Sequence, residues 1–208
     1  QIFEHDCQRA KIERYHSLLK ASDIEYPGDE TIDVTYYKLD LTLTHTPNYL
    51  SGNVTVNSKV NNVPINSLYL DLNTNMTVDS VLLFGTKTNF THSANKINIT
   101  LNRTYQAGEE ISLVVYYRGV PESSGLGSFA FGSHNGQPAI WTLSEPYGAK
   151  DWWPCKDTPS DKADSADIWI TVSTSLIPVS NGKLIDIINN GNGTHTYKWR
   201  TIYTIAQY

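Results

Sequence analysis

From Val34 to Tyr117 the apolar residues recur at every second position in short runs, and no stretch of helical spacing comes between them. Tyr37, Leu39, Leu41 and Leu43 alternate with Lys38, Asp40, Thr42 and Thr44. Successive side chains of an extended chain point to opposite faces, so this run predicts a strand with one face in a core and the other in water. The pattern repeats in Val54, Val56 and Val60, in Leu68, Leu70 and Leu72, in Val78 to Phe84, in Ile97, Ile99 and Leu101, and in Ile111 to Tyr117. Turn clusters separate the runs: Thr46-Pro47-Asn48, Asn61-Asn62-Val63-Pro64 and Ala107-Gly108-Glu109. Strands joined by such short turns predict an antiparallel meander or Greek key.

Gly119 to Gly127 reads as a Gly/Ser/Pro-rich loop, and Phe129 to Phe131 with Ala139 to Thr142 as a hairpin turned at Ser133-His134-Asn135-Gly136. Strands resume at Ile168 to Val172, Leu184 to Ile188 and Thr196 to Tyr203. Ahead of all these, Phe3, Cys7, Ala10, Ile12, Tyr15, Leu18 and Leu19 recur at three- and four-residue intervals, which predicts one amphipathic helix over Phe3 to Ala21. Tyr26-Pro27-Gly28-Asp29 ends it. The expected organisation is therefore a helix and linker over 1–30 and a mainly β unit over 31–208, a size at which one core is the default. The ending Ile205-Ala206-Gln207-Tyr208, strand-like and without a cap, leads us to expect a piece of a longer protein.

The composition excludes some partners. A net charge of -5 without a Lys/Arg run argues against a nucleic-acid surface, where clustered cations drive association by counterion release. No apolar stretch approaches the roughly 20 residues that span a bilayer. A polar start at Gln1 means no signal peptide is expected, although a trimmed secreted product would look the same. Cys7 and Cys155 either bridge or stay as thiols, and their distance in sequence does not decide. N-x-T sequons at Asn53, Asn75, Asn89, Asn98, Asn102 and Asn192 mark positions expected to face solvent, whether or not they are glycosylated.

The chemistry is concentrated in Thr142 to Asp164, TLSEPYGAKDWWPCKDTPSDKAD. Glu145 follows an apolar run and precedes Pro146, which favours an extended strand end. Such a carboxylate can hold a cation by a charge-assisted hydrogen bond, or can be a surface group or a partner of Lys150. Asp151, Asp157, Asp161, Asp164 and Asp167 lack the D-x-D-x-D-G order of a calcium loop, and Lys156 and Lys162 oppose a divalent ion; a solvated turn capped by Asp157 is expected. Trp152 and Trp153 can stack on a sugar or peptide, and if they are neighbours on a strand one of them belongs to the core. There is no H-E-x-x-H, no Cys/His spacing for zinc and no G-x-S-x-G, so the residues by themselves supply binding groups rather than a catalytic set.

Thr142-Leu143-Ser144-Glu145, Ala149-Lys150-Asp151-Trp152-Trp153-Pro154-Cys155-Lys156-Asp157-Thr158-Pro159 and Lys162-Ala163-Asp164 resemble the N-terminal domain of the aminopeptidase N family of zinc metallopeptidases. The family shows a T-Q-x-E step followed by an A-R-x-x-(aromatic)-P-C-x-D-x-P-x-x-K-A segment. The resemblance implies a large twisted antiparallel sheet, a saddle-like β sandwich, packed against a catalytic domain that holds zinc. The G-x-M-E-N and H-E-x-x-H motifs of that domain are not in this chain. It further implies that Glu145 binds the α-amino group of a peptide substrate, with Leu143, Ser144, Lys150, Trp152, Trp153 and Asp157 supporting the site or the domain contact. The implied partners are the peptide N-terminus and the protein's own catalytic domain, in a secreted, periplasmic or envelope setting. Leu143 replaces the family's usual Gln and Lys150 its usual Arg, which bears on residue preference and on bidentate pairing. The alternative is a free-standing β-sandwich module that binds carbohydrate or a surface partner through Trp152, Trp153 and tyrosines; a calcium-dependent adhesion module is a third.

Overall fold

The alternating runs form strands, and their apolar faces meet in one core. The computed structural model describes residues 28–124, 127–204 and 206–208. The expected helix at Phe3 to Ala21 lies outside the described residues. Among the described residues thirteen strands follow one another: β1 (Ile32–His45), β2 (Asn48–Val60), β3 (Ile65–Asp71), β4 (Thr77–Leu83), β5 (Thr86–Thr88), β6 (Phe90–Ser93), β7 (Lys96–Tyr105), β8 (Glu110–Gly119), β9 (Phe129–His134), β10 (Gln137–Thr142), β11 (Ser165–Ser173), β12 (Lys183–Asn189) and β13 (Thr194–Thr201). Among the described residues the only helical turn is a short 3-10 segment at Ala149–Asp151.

Eight strands make one sheet in the order β12-β13-β11-β1-β2-β8-β4-β5; β3-β7-β6 form a second sheet, and β9 with β10 a separate hairpin. The register puts Tyr37, Val56, Leu113 and Leu83 in one row across the large sheet, and Leu39, Val54, Val115 and Val81 in the next. These rows share the core with Leu68, Leu70, Ile97, Ile99 and Leu101 of the small sheet. Two apolar faces closing on each other is the ordinary way a half-buried sheet removes its apolar side from water.

The large sheet is mixed, which corrects the expected antiparallel arrangement. β1 runs parallel to β11, with Tyr37 opposite Ala166 and Leu39 opposite Ile168. A parallel neighbour needs a long crossover rather than a hairpin, and the chain between β1 and β11 supplies one. Nor is the chain a simple meander, since β3, β6 and β7 leave for the second layer.

Turn chemistry sets several ends. Asn135 and Gly136 have φ of 49° and 76°, the paired positive values that let a two-residue turn follow the strand twist. The same geometry at Phe84 and Gly85, φ 47° and 82°, stops β4 one residue before the end expected from the apolar run. Four sequon asparagines, Asn89, Asn98, Asn102 and Asn192, are exposed. Asn53 and Asn75 are only half-exposed, against expectation, and Asn75 spends its amide on the Val120 carbonyl at 2.9 Å.

Candidate functional site

Beyond β10 the chain leaves the hairpin, makes a turn at Glu145–Gly148 and passes through the 3-10 segment into Trp152 and Trp153. Three ties hold the start of the turn. Leu143 donates its amide to the Ser128 carbonyl at 3.2 Å, and the Ser144 hydroxyl donates to the same carbonyl at 3.1 Å. Gly148 closes the turn by donating to the Ser144 carbonyl at 2.8 Å. Only glycine fits there: a Cβ on Gly148 would stand 2.6 Å from the Ser128 Cβ.

Ser144 is buried and also accepts the Trp152 indole N–H at 2.9 Å. The two tryptophans are not on a strand, so the expectation that they face opposite ways does not apply; both turn toward the core. Trp153 is 4% exposed and meets Tyr37 edge-on at 4.9 Å between ring centroids. Trp152 is half-buried, packs against Phe129 at 5.6 Å, and its carbonyl accepts the Tyr117 hydroxyl at 3.0 Å. Truncating a buried ring the size of Trp153 to Ala costs about 3–5 kcal/mol. Trp153 therefore offers no open face to a sugar.

The acidic run is only partly the solvated turn its sequence predicts: the chain turns at 159–161 and Ser160, Lys162 and Asp164 are exposed, but the residues before the turn are not. Asp157 is 1% exposed, and Asp71, Asp151, Lys156, Thr158 and Asp167 are buried as well. Cys155 exchanges backbone hydrogen bonds with Asp71 of β3, at 2.7 and 3.1 Å, and this draws the segment into the interior. Asp157 then donates its amide to Asp71 Oδ2 at 3.0 Å, and its own carboxylate takes Lys150 Nζ at 3.1 Å. Lys156 donates to the Ile32 carbonyl at 2.6 Å and to Asp161 at 2.5 Å, while its amide donates to the Tyr37 hydroxyl at 3.0 Å. Each buried charge thus has a hydrogen-bonded partner, the condition under which burial is tolerated. None of these partners on β1 and β3 is visible from the local sequence.

Burial governs the titration of this cluster. It pushes the Asp71 carboxyl up to about 6, although the Asp157 amide pulls the other way. It raises Asp157 too, opposed by Lys150. The Cys155 thiol is free, fully buried and pushed up by that burial, with Asp157 and Asp71 adding to the effect; Cys7 lies outside the described residues. At the edge of this region the Arg200 fork on Asp167, at 2.6 and 2.8 Å, holds that carboxyl down.

Glu145 stands apart from the cluster. It is exposed, and among the described residues its carboxylate has neither a hydrogen-bond nor an ion-pair partner. Lys150 pairs with Asp157, not with Glu145, which removes one of the readings left open by the sequence. Leu143 beside it is exposed. A cavity of about 550 Å³ lies next to this strand end, lined by Thr142, Trp152 and Trp153 on one side and by Thr204, Ala206 and Tyr208 on the other. Ser128 and Asp151, which sequence reasoning did not select, prove central to the local geometry, and the only sequence signal for Asp151 was its place among the other acids. Among the described residues no three His, Cys, Asp or Glu side chains come together in a way that could hold a metal ion.

The chain matches the profile of the peptidase M1 N-terminal domain over residues 34–208. It is 24% identical to leucine aminopeptidase 2 of Vanderwaltozyma polyspora over 204 residues, 88% of this chain and 28% of that protein. Its fold is similar to the M1 zinc metallopeptidase of Deinococcus radiodurans, with a TM-score of 0.76 and 28% identity, over 87% of this chain and 41% of that one. Yeast LTA4 hydrolase shares the fold at a TM-score of 0.68 and 19% identity, over 86% of this chain and 28% of its own. The chain thus spans less than half the length of these relatives.

Proposed function

The chain belongs to the peptidase M1 N-terminal domain family, and from that membership we propose that it is the non-catalytic β domain of a zinc-dependent aminopeptidase, with Glu145 receiving the α-amino group of the peptide. The observation that supports this reading is the contrast within one segment. Asp151, Asp157 and Asp161 are all spent on internal partners, whereas Glu145 is left exposed and unpaired on a turn whose start is tied down. A carboxylate so placed accepts a terminal ammonium through charge-assisted hydrogen bonds. Holding the amine at a fixed point sets which peptide bond lies at the reacting position, and it is worth several kcal/mol in orientation when the geometry is right. A chain end without a free amine has nothing to offer that carboxylate.

The described residues do not fit a zinc site, so in this reading the metal and the groups that move protons belong to a catalytic domain outside this chain. The 208-residue chain by itself is expected to hydrolyse nothing. Purified chain that cleaved an aminoacyl-nitroanilide and bound stoichiometric zinc would refute this. In the whole peptidase, Glu145→Ala is expected to raise KM for free-amino substrates at least about tenfold. An equal loss on N-blocked substrates would count against the assigned role.

A further inference from the structure

The turn that carries Glu145 is seated on one residue, Ser128, and every polar atom of that residue is engaged. Its amide donates to the Ser124 carbonyl at 3.1 Å. Its hydroxyl accepts the Ser124 amide at 3.0 Å and donates to Asp151 Oδ2 at 2.5 Å. Its carbonyl takes both Leu143 N–H and the Ser144 hydroxyl, the two residues directly before Glu145. On the far side of the turn, Asp151 donates its amide to the Gly148 carbonyl at 3.2 Å, and its carboxylate also accepts the Ser124 hydroxyl. Glu145 is therefore bracketed: Ser128 fixes the chain entering the turn, Asp151 fixes the chain leaving it, and the two are bonded to each other.

We propose that Ser128 and Asp151 are positioning residues for the Glu145 carboxylate, acting through Leu143, Ser144 and Gly148. The proposal rests on the reading of Glu145 as the amine-binding group. Asp151 is buried, and among the described residues no lysine or arginine pairs with it. A carboxylate buried against two neutral hydroxyls is an expensive joint compared with apolar packing. What it provides is direction: two hydroxyls converge on one oxygen, and one of them belongs to the residue whose carbonyl holds Leu143 and Ser144. For a group that must meet an ammonium at hydrogen-bond distance, a displacement of about 1 Å takes the carboxylate out of bonding range, and the loss falls on binding.

The test is a double-mutant cycle in the full-length peptidase, read as KM and kcat on aminoacyl-nitroanilides. Asp151→Ala is expected to raise KM about tenfold with kcat within about twofold, as when binding made equally in ground and transition states is lost. Asp151→Asn, whose amide oxygen can accept the same two hydroxyls, is expected to recover most of that loss. Placed in a Glu145→Ala background, Asp151→Ala is expected to change KM no further. A second tenfold rise in that background overturns the positioning role and leaves Glu145 as the amine-binding group. An unchanged KM for Glu145→Ala alone overturns instead the reading on which the proposal rests. If Asp151→Ala does not fold, Ser128→Ala in the full-length peptidase reads the same joint through hydrogen exchange at the Leu143 amide. Exchange about tenfold faster, as local opening becomes easier, supports the proposal; unchanged exchange overturns it.

Discussion

The turn at Glu145–Gly148 and the run from Lys150 to Asp161 are consecutive in the chain and carry the same acidic chemistry, yet the fold treats them in opposite ways. In the run, Asp157 lies against Lys150 and Asp161 against Lys156, buried or half-buried and in contact with strands far away in sequence. In the turn, Glu145 faces solvent without a partner among the described residues. The acids of the run are part of the framework, and removing one leaves a buried cation or amide unsatisfied. The acid of the turn has no partner through which it could contribute to stability among the described residues.

Four measurements would break or sharpen this contrast. The largest effect is expected from Asp161→Ala, which strands the buried Lys156 ammonium and takes the acceptor from the Val34 amide. Breaking one side of such a pair costs about 3–5 kcal/mol, readable as a lower urea midpoint at an unchanged slope. A loss below 1 kcal/mol, on the order of an exposed pair, would mean the run is not the framework described above.

The next effect depends on pH. The folded Asp71 carboxyl is raised from 3.8 to about 6, so the folded state holds a proton that the unfolded state has released. This contribution is fully present below pH ~4 and is lost as pH rises through about 6, to a total of about 3 kcal/mol. Asp71→Asn keeps an oxygen for the Asp157 amide and is expected to remove that slope from the stability profile between pH 4 and 6. Identical slopes in the two proteins would show that Asp71 is ionised in the fold.

Ser144→Ala is smaller. It leaves the Trp152 indole N–H without its acceptor and should cost about 1–3 kcal/mol, with a shift in tryptophan emission as the ring loosens. The smallest expected effect is that of Glu145→Ala on the folding of the chain itself, within about 0.5 kcal/mol of the parent. A loss of 2 kcal/mol there would erase the contrast between the two regions.

The sequence made the framework legible where each residue's environment follows from its neighbours along the chain. Tyr37, Leu39 and Leu41, or Ile97, Ile99 and Leu101, announce their buried face by alternation alone, and all six are in the core. Asn135-Gly136 announces its turn because few other pairs accept positive φ twice. The segment after β10 was legible as family signature but not as structure. Asp157 and Lys156 look like solvent-exposed residues until Asp71, Tyr37 and Ile32 arrive from strands that are distant in sequence. For Trp152 and Trp153 the expectation of one core ring holds in Trp153, but not through strand alternation, since both follow a 3-10 turn. The parallel pairing was hidden as well, since side-chain alternation carries no information on strand direction.

That parallel pairing bears on how the molecule is made. Tyr36 of β1 donates to Asp167 of β11, 131 residues further on, so that edge of β1 lacks its β11 partner until those residues have been made. Contacts between residues so far apart close late and slowly, because the loop entropy must be lost before the contact repays it. During synthesis β1 and β2 can pair as a hairpin while β1 keeps its other edge free, and an unpaired edge is a place where chains join one another. A nascent chain that stops short of β11 is therefore expected to aggregate more readily than one in which β11 has paired with β1.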